Sequence, residues 1–130
     1  MRQNLSKRQS GMSLIEVLVS VLIFSLGILG LMGLQARAVQ FSVSAEDSNR
    51  AALLANELGT TLWTSGSVTP AAATLAAWQA RVADPTVDGL PNGLGAVVVN
   101  GNSAEITITW RATSAPAGTV NRFTTQVTIP

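Results

Sequence analysis

Neither cysteine nor histidine occurs in the 130 residues of this chain, and charged residues make up only 12% of it. Without cysteine no disulfide can form, so an exported domain has to be held together by packing alone. The two absences also exclude a thiol nucleophile, a histidine base and a zinc site built on the usual soft ligands. Of the side chains that most often act as acids or bases in catalysis, a few carboxylates remain.

Those carboxylates are scattered and show no pattern typical of an acid–base pair or of a calcium-binding loop. Beyond the first forty residues they are Glu46, Asp47, Glu57, Asp84, Asp88 and Glu105. Residues 1–11 carry three basic and no acidic residues, which leaves five basic and seven acidic residues in the rest of the chain. That remainder has no basic patch of the kind that binds nucleic acid. We therefore predict no enzyme activity, cofactor, metal site, nucleic-acid contact or small-molecule substrate.

A run of twenty uncharged residues, 17–36, follows Glu16 directly. At 1.5 Å per residue a helix of this length spans roughly 30 Å, the thickness of a bilayer core. More basic residues precede the run than follow it closely, which favours a cytoplasmic N-terminus. Gly27, Gly30 and Gly33 recur within the run. They either allow another helix to approach closely or reflect the glycine content of membrane helices.

A secretory signal peptide is the alternative interpretation of this segment. The sequence Ala36-Arg37-Ala38 loosely resembles a signal cleavage site. However, the apolar run is longer than the roughly 7–15 residues of a signal peptide. Glu16 also interrupts its beginning, and Arg37 would lie inside the cleavage motif. These features favour a retained membrane segment.

The stretch GMSLIEVLVSVLIFSLGILG, which begins at Gly11, resembles the N-terminus of type IV pilins and type II secretion pseudopilins. These proteins have a short basic leader that ends in glycine, an apolar first mature residue and glutamate at mature position five. The resemblance implies that a prepilin peptidase cleaves between Gly11 and Met12 and methylates the new amino group of Met12. It implies an assembly role for Glu16, the fifth mature residue.

The resemblance also divides the chain into three parts. They are a leader, 1–11, a transmembrane and assembly segment, 12–36, and a periplasmic globular domain, 37–130, that includes the outer half of the helix. After cleavage, the ammonium of Met12 would lie one helical turn from Glu16, and in lipid each charge needs a partner. The two groups can pair within one chain. The family implies instead that Glu16 pairs with the Met12 amine of a neighbouring subunit.

The helix is expected to continue from Ser13 to about Trp63. Small and apolar residues recur at spacings of four and three and predict one buried stripe. Its members are Leu34, Ala38, Phe41, Ala45, Ser48, Ala52, Ala55, Gly59 and Leu62, widened by Leu54 and Leu58. Asp47 and most other polar residues fall off this stripe. Thr69 and Pro70 then predict the start of a short helix whose inner face carries Leu75, Trp78 and Val82.

From residue 96 the pattern changes to a period of two and predicts antiparallel strands, with a hairpin that turns at Asn100-Gly101. We expect a core anchored by Trp110, Ile106, Ile108 and Phe123. Trp63 and Trp78 are either core residues or an exposed binding patch. The predicted fold class is α+β, the type IV pilin fold. A long N-terminal helix, transmembrane in its first half and amphipathic in its second, packs on a small antiparallel sheet of three or more strands.

Two further resemblances indicate which kind of pilin the chain is similar to. The stretches SLGILGLMGLQARAV and ITITWRA…RFTTQVTIP resemble PilV-type minor pilins, and the chain lacks the C-terminal disulfide loop usual in major pilins. The resemblance implies a low-abundance subunit that joins other minor pilins and the major pilin to prime assembly. Such a pilus serves twitching motility, adhesion or DNA uptake. The subunit would be a single-pass inner-membrane protein with a periplasmic domain and would later lie in the pilus, at its tip.

Two alternatives remain open. One is a minor pseudopilin of the I type in a type II secretion system, whose leader and glutamate are alike. The other is a membrane-anchored periplasmic binding domain that never polymerises.

Overall fold

The computed structural model describes residues 10–130, with side chains from Ser13 onward, so most of the predicted leader lies outside the described residues. The elements are α1 (Ser10–Ser65), α2 (Ala72–Val82), β1 (Leu94–Asn100), β2 (Ser103–Trp110) and β3 (Asn121–Thr128). The predicted α+β class, a long N-terminal helix with a small antiparallel sheet, is confirmed. The chain divides into two compact units between Ser42 and Val43.

The first unit contains the N-terminal part of α1. Every side chain from Ser13 to Ser42 is exposed, although most of them are apolar. Leucine is the commonest residue in this segment and proline is absent, which favours continuous helix. The hydroxyls of Ser20 and Ser25 donate to the carbonyl oxygens of Glu16 and Val21, each at 2.7 Å. These serines therefore satisfy their hydroxyl donors within the helix itself.

In the second unit the rest of α1 is buried along one face. The buried apolar residues of this face are Ala51, Leu54, Ala55, Leu58 and Leu62. The predicted stripe is confirmed at Leu54, Ala55, Leu58, Gly59 and Leu62. It is wrong nearer the N-terminus, because Ala45 and Ser48 are exposed and Asp47 is buried. The leucines set the buried face, since each removes more apolar area from water than an alanine does.

The three strands form one antiparallel sheet in the order β1-β2-β3. The central strand β2 buries alternate residues from Ala104 to Trp110, so its inner face meets the buried face of α1. Of the four predicted core anchors, Ile106, Ile108 and Trp110 are buried, and Phe123 is partly buried against them. The indole Nε1 of Trp110 has no hydrogen-bond partner among residues 10–130.

The hairpin turn lies one residue later than predicted. Asn100 pairs with Ser103, so the two central residues are Gly101 and Asn102 rather than Asn100 and Gly101. Of these two, only Gly101 has a positive φ, 61°. Glycine at the first central position is the arrangement of a type II′ turn, which suits the twist of a hairpin as well as an Asn-Gly turn does.

The start of α2 also differs from the prediction. Its N-cap residue is Ala71, which offers no side-chain hydrogen bond, so Thr69 is not the cap. The backbone N–H of Thr69 instead donates to the hydroxyl of Ser67 at 3.2 Å. A local serine–backbone contact of this kind competes with helix capping. The predicted inner face of α2 is confirmed, because Trp78 and Val82 are buried and Leu75 is partly buried.

Two glycines allow close packing inside the second unit. The indole of Trp78 lies over Gly95 in β1, where an added Cβ would come within 2.4 Å of the ring. The Nε1 of Trp78 donates to the carbonyl oxygen of Leu54 at 2.8 Å, which ties α2 to α1. At Gly59 an added Cβ would lie 3.0 Å from Cγ2 of Val127, so α1 and β3 meet closely there.

Candidate functional site

The residues of the predicted cleavage junction lie at the beginning of α1. The described part of α1 starts at Ser10, so the backbone of Gly11 and Met12 is helical. Glu16 lies one turn beyond Met12 and is exposed. The structure therefore places the predicted junction and the predicted assembly residue within two turns of one helix.

Glu16 stands in an apolar surface without a cationic partner. Its neighbours Ile15 and Val17 are 64% and 61% exposed. No ion pair within residues 13–130 includes Glu16. Among the described residues the next charged residue is Arg37, which a continuous helix places about 30 Å away. In lipid, an ionised carboxylate at this position would be costly unless a cation from outside the described residues paired with it.

The helix that carries Glu16 is suited to a membrane. Ser13–Ser65 is the helix, among the described residues, that is long and apolar enough to cross one. Its apolar side chains are exposed on all sides from Ser13 to Ser42, so this part has no amphipathic face. A helix that is hydrophobic all round is covered either by lipid or by other protein. The site is therefore an isolated acidic group at the beginning of a helix that requires an external cover.

Three of the shallow clefts on the surface of the second unit are lined by α1. Two of them, of about 420 and 260 Å³, adjoin an ion pair between Glu57 of α1 and Arg81 of α2. Arg81 also lies 3.9 Å from a carboxylate oxygen of Asp88. The third, of about 430 Å³, lies between α1 and β3 and contains Trp63. Within residues 10–130 no three histidine, cysteine, aspartate or glutamate residues form a group that could hold a metal ion.

Two acidic residues of the second unit have perturbed pKa values. Burial raises the pKa of Asp47, an effect that the positive charge of Arg50 partly offsets. Hydrogen bonds from the hydroxyl and backbone N–H of Thr86 lower the pKa of Asp84. The predicted stripe did not include Asp47, which is nevertheless buried. Its spacing of four residues from Ala51 was the signal that it lies on the same face.

The comparisons with known proteins address the N-terminal site. Residues 6–32 match the family model described as the prokaryotic N-terminal methylation motif. Comparison with curated proteins and with solved structures gives no significant match. The matched residues include Gly11, Met12 and Glu16 and end within the apolar part of α1.

The motif, together with the long apolar helix and the small sheet, indicates a type IV pilin-like or pseudopilin protein. Proteins of this class are structural rather than enzymatic. The motif therefore indicates processing by a prepilin peptidase, anchoring in a membrane and assembly with other pilins.

Proposed function

We propose that this chain is a minor pilin that is cleaved after Gly11, is N-methylated at Met12 and primes the assembly of a type IV pilus. The observation that carries the proposal is the isolation of Glu16 on an apolar helix surface, with no cation in reach among the residues described. Cleavage before Met12 would create an ammonium one turn away from this carboxylate. Proteolysis would thus create the positive charge that can neutralise the Glu16 carboxylate in an apolar environment.

The partner of Glu16 in this proposal is the Met12 amine of a neighbouring subunit. Residues 13–42 expose apolar side chains in every direction. Packing such helices together covers these surfaces and brings the N-terminus of one subunit close to the second turn of another. A pairing between subunits then fixes the axial register of the incoming helix, whereas a pairing within one chain would leave the register undefined.

Three features support a minor rather than a major pilin. The chain has no cysteine and so cannot form the disulfide loop usual in major pilins. Its second unit contains only three strands and one short helix besides α1. Two sequence stretches resemble PilV-type subunits. We propose that, before assembly, the protein resides in the inner membrane with its C-terminal domain in the periplasm. It then joins other minor pilins and the major pilin, at the tip of a pilus used for twitching motility, adhesion or DNA uptake.

A minor pseudopilin of the I type in a type II secretion system is the second candidate. The N-terminal methylation motif favours it equally, because pseudopilins have the same leader and glutamate. Deletion of the gene separates the two functions. Loss of surface pili with intact protein secretion supports the pilus, and the reverse result supports the secretion system.

Two measurements test the assembly mechanism. Mass spectrometry of the mature polypeptide should find an N-methylated Met12 as its first residue. Glu16→Ala should leave cleavage and membrane insertion intact but exclude the subunit from filaments. Glu46→Ala is a matched control, because Glu46 is an exposed glutamate on the same helix outside the apolar run.

Two results would contradict this mechanism. Incorporation of the Glu16→Ala subunit at the wild-type level would remove the assembly role of Glu16. If the mature chain began at any residue other than Met12, the amino group of Met12 would not be the cation that pairs with Glu16. An uncleaved chain that never enters filaments would instead support a membrane-anchored binding domain.

A further inference from the structure

The cleft between α1 and β3, here called the Trp63 groove, lies entirely within Val43–Pro130. Its lining residues are Asn56, Gly59, Thr60 and Trp63 from the helix and Thr125, Gln126, Val127 and Thr128 from the strand. Its volume is about 430 Å³, and it is an open, shallow cleft that could cover one face of a ligand. The groove has no part in the proposed assembly mechanism, which uses the other end of α1.

Trp63 is the unusual residue of this groove. It is 58% exposed, whereas Trp78 and Trp110 are each only 4% exposed. The core is therefore built without Trp63, although an exposed indole leaves a large apolar surface in water. A flat aromatic side chain at the wall of a groove provides a stacking surface for a ligand with an apolar face.

The polar groups of the groove are neutral. Within residues 10–130 the side chains of Asn56 and Thr125 make no hydrogen bond, so their donors and acceptors are free for a ligand. The side chain of Gln126 points to the opposite face of β3. The hydroxyl of Thr60 donates to the carbonyl oxygen of Asn56 at 2.9 Å and keeps its capacity to accept. No charged residue lines the groove. This composition disfavours phosphates, which need cationic groups, and metal ions, which need carboxylates.

The backbone adds to the binding surface. Gly59 has no side chain, so the side chain of Val127 packs closely against the backbone of α1 at the groove. β3 is an edge strand, because β2 is its only neighbour in the sheet of the described residues. Alternate N–H and C=O groups of such a strand point away from the sheet and are available as further hydrogen-bonding groups.

We propose that the Trp63 groove binds a neutral pyranose, as one residue of a glycan. A pyranose has an apolar face of C–H groups, which stacks on the indole, and a rim of hydroxyls, which both donate and accept hydrogen bonds. The free amide of Asn56 and the free hydroxyl of Thr125 match that rim. This proposal goes beyond the assembly function and does not depend on it.

The test uses the full chain in a zwitterionic detergent, because detergents with glucoside or maltoside head groups would compete. D-glucose, D-galactose, D-mannose and N-acetyl-D-glucosamine are titrated separately by calorimetry. At least one should bind with a dissociation constant of about 1 mM, a value common for a single small ligand in a shallow site. Acrylamide quenching provides a second readout, since Trp63 is the accessible indole, and the bound sugar should protect it.

Three variants locate the binding. Trp63→Ala should weaken it at least tenfold, and Asn56→Ala should weaken it by about fivefold, the effect of one hydrogen bond. Val87→Ala should leave it unchanged, because Val87 is 64% exposed and lies outside the groove. Both groove positions are exposed or partly exposed, so these variants should fold, and circular dichroism checks that they do.

Three results would overturn the proposal. The first is that none of the four sugars binds at concentrations up to about 50 mM, well above the expected dissociation constant. The second is equal binding by the wild type and Trp63→Ala. The third is self-association of the chain that requires Trp63 and that no sugar competes with, which would make the groove an interface for a strand of a second copy.

Discussion

Gly95 of β1 is predicted to be intolerant of even one added methyl group. The Cβ of an alanine at this position would lie 2.4 Å from Cζ3 and 2.6 Å from Cη2 of Trp78, whereas ordinary contacts begin at 3.4 Å. The indole therefore has to move by about 1 Å, the difference between these distances. Trp78 is buried and its Nε1 donates to Leu54 at 2.8 Å. A displacement of that size would break this hydrogen bond.

The expected loss of stability for Gly95→Ala is about 2 kcal/mol. Forcing a methyl group into a well-packed core costs roughly 2 kcal/mol, and the loss of one buried hydrogen bond costs about 1 kcal/mol. Alanine restricts the unfolded chain more than glycine does, and this effect offsets up to about 1 kcal/mol of the loss in stability. For a small domain this net change is a large share of the total free energy of unfolding.

Urea unfolding followed by tryptophan fluorescence measures this change, because all three tryptophans lie in Val43–Pro130. The matched control is Ala96→Gly, the reverse change at the next residue, which is exposed. It should cost only about 0.5–1 kcal/mol through chain entropy. In a Trp78→Leu background, which removes the obstructing ring, Gly95→Ala should be nearly neutral. A similar loss in both backgrounds would refute the reasoning, since the clash with Trp78 would then not be its cause.

Three further predictions concern the second unit. Trp63→Ala should cost less than about 1 kcal/mol, whereas Trp78→Ala should cost roughly 3–5 kcal/mol, because only Trp78 belongs to the core; urea midpoints compare the two. Gly101→Ala should cost about 1 kcal/mol, because an alanine is strained at the φ of 61° observed there; Gly101→Asn, which tolerates positive φ better, is the control in the same assay. Burial raises the pKa of Asp47, so its ionised form destabilises the fold above that pKa, and Asp47→Asn should raise the urea midpoint at pH 7. This gain should shrink as the pH falls through the folded-state pKa and vanish below the ordinary value of 3.8.

The strands could be predicted because their burial alternates with a clear contrast in side-chain size. In β2, Ile106 and Ile108 alternate with threonines, and the larger apolar residues are the ones in the core. The turn between β1 and β2 could not be fixed in the same way. Asn100, Gly101 and Asn102 allow either an Asn-Gly or a Gly-Asn turn. The choice depends on the pairing of the strands, which the turn residues alone do not specify.

The buried face of α1 was harder to predict for a different reason. Alanine and serine are compatible with both buried and exposed positions, so a stripe of small residues such as Ala45 and Ser48 carries little information. The leucines at 54, 58 and 62 determine the orientation of the helix, since they gain most from leaving water. Once they are placed, the helical repeat puts Asp47 on the buried face regardless of its polarity. The raised pKa of Asp47 is a consequence of that geometry.

The two parts of α1 also differ in what explains them. From residue 43 onward, contacts with the sheet and with α2 account for which side chains are buried. From Ser13 to Ser42, no contact within the described chain covers the apolar side chains. A continuous apolar surface of this extent marks a site of interaction with lipid or with other chains. The part that a single chain leaves uncovered is also the part where the methylation motif lies. For residues 13–42, function is therefore inferred from the motif and not from contacts within the chain. The lipid or protein partners that would cover this apolar surface lie outside the molecule.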